Sequence, residues 1–141
     1  MVAMANQPFG TYVPAPRIGE EMLIPQPFMA KVIGDLKRSG LVMTVAGRSG
    51  GLALTRPAAA ITLRHIVEAV EGPIMLNTCL IRAGECPRDR TCPAHLTWQH
   101  IQRVLYRELE AVNLASLAEQ TYPLSSAGDK ETEDVPGGPN G

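Results

Sequence analysis

Apolar residues recur along the chain with two different periods, and the switch between them marks its parts. Between 26 and 38, Phe28, Met29, Val32, Ile33 and Leu36 fall three and four apart, the spacing of one helical face. Pro27 suits the first turn, where a missing amide hydrogen costs nothing. Lys37 and Arg38 occupy the last turn, where cations oppose the negative end of the dipole, and Gly40 follows as a C-terminal cap. A helix is therefore predicted from Gln26 to near Ser39. Just before it, Ile18 and Met22 lie four apart in a shorter helix from Ala15 to Met22, which "LIP" ends because the residue before a proline avoids the helical region. Two short helices joined by a tight turn suit a helix-turn-helix, and equally an ordinary helical hairpin.

The period then becomes that of a strand. Leu41 to Val45 is apolar and β-branched, "AGRSGG" is a turn, and "LALT" can return as the paired strand before Pro57. A hairpin directly after a helix-turn-helix is a wing. Arg48 at its tip is placed to reach a phosphate or a minor groove, or else is a solvated turn arginine. The next helix opens at Thr62, a good N-cap, and Leu63, Ile66, Val67 and Val70 form its predicted buried stripe before Gly72 and Pro73 end it. His65 in its first turn is read as structural or exposed.

The longest periodic run is "LTWQHIQRVLYRELEAVNLASLAEQ", with Leu96, Ile101, Val104, Leu105, Leu109 and Val112 on one face and Trp98 near its start. That is more apolar face than one small winged domain covers, so the run is a candidate dimerisation helix, the alternative being packing into the chain's own core. The closing "PLSSAGDKETEDVPGGPNG" has no apolar period and is predicted to be a disordered tail.

Composition adds limits. A chain of 141 residues supports one domain, and 45% hydrophobic with only 4% aromatic residues calls for an aliphatic, mainly helical core. The tail carries one Lys against four acidic residues, whereas Arg17 to Arg64 holds seven basic residues against three acidic ones. A modestly basic first half is compatible with a phosphate-facing surface or with ordinary solvated charge. There is no signal-peptide pattern and no apolar run near the roughly 18 residues of a membrane span, so a cytoplasmic protein without a membrane partner is expected.

All three cysteines lie in "CLIRAGECPRDRTCPAH": Cys79, Cys86 and Cys92 are separated by six and five residues, and His95 follows Cys92 after two more. An odd number of thiols in a reducing compartment argues against a disulfide scaffold and towards metal or redox chemistry. Gly84, Pro87 and Pro93 supply turns that let a loop wrap around a metal or cluster. Arg82, Arg88 and Arg90 favour thiolates, which also suits a direct redox switch. Zinc is an alternative, since three thiolates and an imidazole suit tetrahedral coordination. The RNA-binding fingers of similar spacing stack bases on aromatic rings, and no aromatic residue lies between Cys79 and His95. No orienting carboxylate, oxyanion hole, paired acids or phosphate loop accompanies the thiols, so no enzymatic activity and no small-molecule substrate are expected.

The segments "IPQPFMAKVIGDLKRSGLV", "GRSGGLALTRPAAAITLRHIVEAVEGP", the "CPAH" loop and "NLASLAE" resemble, in order and spacing, the Rrf2-type winged-helix transcription regulators, over most of Ala5 to Gln120. The resemblance implies a mainly α fold with a small β-hairpin wing: a winged helix-turn-helix over 1–72, a cluster-binding loop over 73–95, and a long C-terminal dimerisation helix with its end over 96–122, ahead of an acidic tail over 123–141. It implies a homodimer that binds palindromic double-stranded DNA operators. Gln26, Pro27, Phe28 and Lys31 would face the major groove, with Gln reading a base edge, Lys a guanine or phosphate, and Pro and Phe touching a thymine methyl. An arginine that members place in the wing is Ala46 here, with Arg48 two positions later.

It further implies an iron-sulfur cluster. Cys79, Cys86, Cys92 and His95 would hold a 2Fe-2S centre as in one branch of the family. In another branch three cysteines hold a 4Fe-4S centre, with the fourth ligand from the partner's first helix. Members begin with a long helix of which Val2 to Ala5 retains only the end, which favours His95 as the fourth ligand, or an open iron site. The same truncation predicts exposed surfaces at Ile18, Ile33 and Leu36. The expected function is a regulator that senses cluster status, nitric oxide or redox state and shifts the spacing of two recognition helices, which must match half-sites about 34 Å apart. The alternative is a zinc-stabilised or truncated dimeric interaction module without DNA binding.

Overall fold

The computed structural model describes residues 1–82, 84, 86–88 and 91–120. The acidic tail over 123–141 and Arg90 lie outside them. Among the described residues no helix is long and apolar enough to cross a membrane.

The helices are α1 (Val2–Ala5), α2 (Ala15–Glu21), α3 (Gln26–Arg38), α4 (Leu63–Glu71), α5 (His95–Ala111) and α6 (Leu114–Glu119), and the strands are β1 (Val42–Val45) and β2 (Gly51–Leu54). Short 3-10 turns cover Ala58–Ala60 and Thr78–Leu80. The helix-turn-helix and its wing thus form where the apolar period places them.

Local chemistry closes α3 as predicted. Gly40 is left-handed at φ +71°, its N–H donates to the Lys37 carbonyl at 3.0 Å, and the Leu41 N–H donates to the Leu36 carbonyl at 3.0 Å. That pair of bonds is a Schellman cap, and Leu36 and Leu41 complete it as buried apolar neighbours. At α4 the Thr62 hydroxyl accepts from the His65 N–H while the His65 ring faces the Thr62 N–H, a reciprocal cap that makes His65 structural.

The wing strands pair antiparallel, from Val42 opposite Leu54 to Val45 opposite Gly51. Val13 adds a bridge on the far side of β2, exchanging N–H to carbonyl bonds with Leu52 at 2.8 Å in both directions. Gly51 makes room for it: a Cβ there would lie 2.5 Å from the Val13 carbonyl oxygen, at a φ of +154°. Gly51→Ala should therefore detach the segment around Val13 at a cost of about 1–3 kcal/mol. The check is hydrogen exchange, with protection lost at the Val13 and Leu52 amides; unchanged protection would refute it.

The core is aliphatic and joins distant segments. Leu41, Val42, Leu52 and Leu54 from the wing meet Met29 and Leu36 of α3, Ile18 of α2, Met4 of α1, Ile61 and Leu114. The expected exposure of Ile18, Ile33 and Leu36 is overturned: Ile18 and Leu36 are buried and Ile33 is half-buried against the core. Short as it is, α1 buries Ala3 and Met4 and packs on α6 and β2, filling that side of the core.

Three further expectations need correction. In α4 none of Leu63, Ile66, Val67 and Val70 is fully buried, because the helix lies at the edge of the core, against α3 and α5. Phe28 leaves the buried stripe of α3, since Met29 takes the inward position of the first turn. The run from Leu96 to Gln120 is two helices, not one. Val112 turns extended, Asn113 bridges Thr62, the Leu63 N–H donates to the Val112 carbonyl at 2.8 Å, and the Leu114 N–H donates to the Ile61 carbonyl at 2.7 Å. The Asn113 side chain then caps α6 by accepting from the Ser116 N–H at 3.0 Å.

Candidate DNA-binding face and cysteine site

The turn between α2 and α3 is closed by the Ile24 N–H on the Gly19 carbonyl at 2.9 Å, with Leu23 left-handed and exposed between them. It delivers the start of α3 to the surface. Gln26, Pro27, Phe28 and Lys31 are all exposed there, Phe28 at 53% of its surface. Arg48 is exposed at the tip of the wing, in a turn closed by the Gly50 N–H on the Gly47 carbonyl at 3.0 Å.

A residue that the apolar pattern did not single out lies on the same helix. Asp35 is only 7% exposed, and its carboxylate accepts from the Lys31 ammonium at 3.0 Å and from the Arg38 guanidinium. Its pKa is lowered from the ordinary carboxylate value, first by the hydrogen bond from Lys31. The signal was present in the spacing, since Lys31 is four residues before Asp35 and Arg38 three after it.

The second candidate region is gripped by α5. The buried face of this helix is polar: Gln102, 7% exposed, donates from Nε2 to the Ile74 carbonyl at 2.7 Å and accepts at Oε1 from the Leu76 N–H at 2.9 Å. The Tyr106 hydroxyl donates to the same Ile74 carbonyl at 2.8 Å. Arg64 of α4 lies over the Tyr106 ring, 3.8 Å from its centroid, and pairs with Glu68 at 3.2 Å and with Glu110 of α5. Its pKa is raised, first by the hydrogen bond to Glu110, so the guanidinium is a fixed charge in this clamp. The segment leading into the cysteine loop is thus tied to α5, and α5 to α4.

Because the polar face turns inward, the expected apolar stripe of α5 is left partly to solvent. Leu96 is 73% exposed and Ile101 41%, while Val104, Leu105 and Leu109 are half-buried. Gln102 and Tyr106, which bond to backbone, join Arg64 and the half-buried aliphatic residues in holding this helix to its own chain.

Cys79 lies in the Thr78–Leu80 turn, whose start is capped by the Asn77 side chain accepting from the Thr78 N–H at 3.1 Å. Cys79 and His95 share the lining of a cavity of about 450 Å³ with Met75, Gln99 and Tyr106. Cys92 precedes α5: its N–H donates to the Arg88 carbonyl at 2.7 Å and its carbonyl accepts from the His95 N–H at 3.2 Å. The Gln99 side-chain amide sits 2.8 Å from His95 Nε2. Cys86 is half-buried, and all three thiols are free.

Among the described residues, no three Cys, His, Asp or Glu side chains come together as a metal site. The structure brings Cys79 and His95 to one cavity and does not bring the four expected ligands together. Their chemistry nevertheless fits an iron-sulfur cluster or zinc: three thiols outside any disulfide, and an imidazole that shares a cavity with one of them.

The comparisons with known proteins agree with this architecture. Residues 1–120 match the Rrf2 family, described as iron-dependent transcriptional regulators. The chain is 31% identical over 103 residues to a helix-turn-helix-type transcriptional regulator of Neisseria meningitidis serogroup A, covering 73% of this chain and 69% of that one. It is 27% identical over 124 residues to the helix-turn-helix-type transcriptional regulator IscR of Escherichia coli O1:K1, covering 88% and 76%. In fold it is similar to CymR, the global cysteine regulator of B. subtilis, with a TM-score of 0.67 at 23% identity over 86% of this chain and 88% of that one. These relatives are transcriptional regulators and not enzymes. With a winged helix-turn-helix at its centre and a family match over residues 1–120, the chain belongs to the Rrf2 family of DNA-binding transcriptional regulators.

Proposed function

We propose that the chain works as a homodimer on double-stranded DNA and that its operator affinity follows the state of the Cys79 to His95 loop. The reading rests on one observation: α5 binds the lead-in to that loop through Gln102 and Tyr106 while exposing Leu96 and Ile101 on its outer side. A second copy covering the exposed stripe would remove an apolar surface that is costly to leave in water.

Cys79, Cys86, Cys92 and His95 would hold an iron-sulfur cluster. When bound, such a cluster supplies a redox centre that oxygen or nitric oxide attacks. The chain's own part is mechanical. His95, whose Nε2 faces the Gln99 amide at 2.8 Å, would be one of the residues holding such a group, and any rearrangement of the segment around Cys79 must break or drag the bonds from Gln102 and Tyr106. Arg64 carries that pull from α5 to α4, which packs directly on α3. Gln26, Pro27, Phe28 and Lys31 would read the major groove and Arg48 a phosphate or the minor groove.

Anaerobic purification is the test. A brown protein with matching iron and sulfide that runs as a dimer supports the reading, whereas a colourless monomer or a zinc protein overturns it. DNA binding is tested with a promoter pool over a range of salt. Arg48→Ala should flatten the log–log salt dependence by about one phosphate contact, a slope change of about 0.9. An unchanged slope removes Arg48 from the interface.

A further inference from the structure

Resting on the DNA-binding reading above, we infer that Asp35 is a positioning residue for specificity: it holds Lys31 away from phosphates, so that Lys31 contributes to reading bases rather than to general attraction. The placement is unusual for an acid. It sits on the helix meant to face a polyanion, nearly buried, while the side chains it binds are open to water, Lys31 at 62% and Arg38 at 78%. A nearly buried ion pair contributes little net stability, because desolvating the carboxylate offsets most of the attraction. Its effect is therefore on orientation.

Two consequences follow from the charges. Lys31, Asp35 and Arg38 together carry one net positive charge instead of two, which lowers attraction to any DNA regardless of sequence. The Lys31 ammonium is also fixed along the helix, with one of its hydrogens spent on Asp35 at 3.0 Å and the others free for an acceptor. A phosphate approaching Lys31 is repelled by the adjacent carboxylate. A neutral acceptor on a guanine edge meets far less repulsion, so the pair penalises backbone contact more than base contact.

The experiment uses the full chain, purified anaerobically, with two probes of equal length: a duplex enriched from a random pool by the wild-type protein, and a scrambled duplex. Affinities are measured over a range of salt. For Asp35→Asn, binding to the scrambled duplex should tighten about tenfold near 0.05 M salt and its slope steepen by about one. The ratio between the two duplexes should fall. Lys31→Gln supplies a readout that does not need the Asp35 variant to fold. It should weaken binding to the enriched duplex while leaving the scrambled-duplex slope unchanged, and in the Asp35→Asn background it should abolish the gain. A folded Asp35→Asn with unchanged slope and ratio overturns the inference, and so does a Lys31→Gln slope on scrambled DNA that falls by about one. A wild-type chain that enriches no sequence overturns the DNA-binding reading and this inference with it.

Discussion

Gln102→Leu is expected to lower stability by about 2–3 kcal/mol and to disconnect DNA affinity from the state of the cysteine loop. The amide meets two backbone groups of the loop's lead-in at once, the Ile74 carbonyl at 2.7 Å and the Leu76 N–H at 2.9 Å. Leucine fills a similar volume and bonds to neither. The Leu76 amide then loses its bond to the buried Gln102 position, a penalty of about 1–3 kcal/mol, whereas the Ile74 carbonyl keeps the Tyr106 hydroxyl. Tyr106→Phe removes only that hydroxyl and leaves the ring beneath Arg64, so its cost should be smaller, about 1 kcal/mol. Thermal melts should show the graded pair, with Gln102→Leu down by roughly 10 °C. The functional arm compares DNA affinity of iron-loaded and iron-free protein: the difference should shrink in Gln102→Leu, and a full wild-type difference would show that the clamp carries no signal.

Leu114→Ala is expected to cost about 2–5 kcal/mol, the range for emptying a closed aliphatic site. Leu114 is 1% exposed and begins α6 at the point where 112–114 pairs with 61–63. Its side chain joins α6 to the core beneath the wing, next to Ile61, and α6 in turn supports α1. The pairing is backbone and the side chain is packing, so alanine retains the first and loses the second. The cavity cannot collapse easily between two anchored segments. Urea unfolding provides the measurement, and a loss below about 0.5 kcal/mol would place α6 outside the cooperative core. Leu96→Ala is the contrast. At 73% exposure it should leave the melting of the isolated chain nearly unchanged and weaken self-association instead.

Much of the DNA-binding half was legible because its determinants are close in sequence. The cap at Gly40, the N-cap at Thr62, Pro27 in a first turn and the glycine-rich wing tip each act over five residues or fewer, and each formed where expected. The exposed set of Gln26, Pro27, Phe28 and Lys31 was reached through family likeness, and the structure leaves all four at the surface. The cysteine site was legible only as a list of donors. Whether they converge depends on the path of the chain between Cys79 and His95, which no local spacing encodes.

Sequence by itself determined the order of the elements, the helix ends and the wing, since hydrophobic period and capping chemistry are local. Tertiary structure decided which faces are used. A helical face becomes buried only when something packs on it, so α5 turned Gln102 and Tyr106 inward towards a backbone 26 to 32 residues away and left Leu96 and Ile101 outside. The break at Asn113 was decided the same way, by pairing with a segment near Thr62 that no window along the chain contains. Asp35 stands between the two cases: spacing placed it beside Lys31 and Arg38, and only packing made its carboxylate nearly buried, which turns an ordinary helical ion pair into a fixed one.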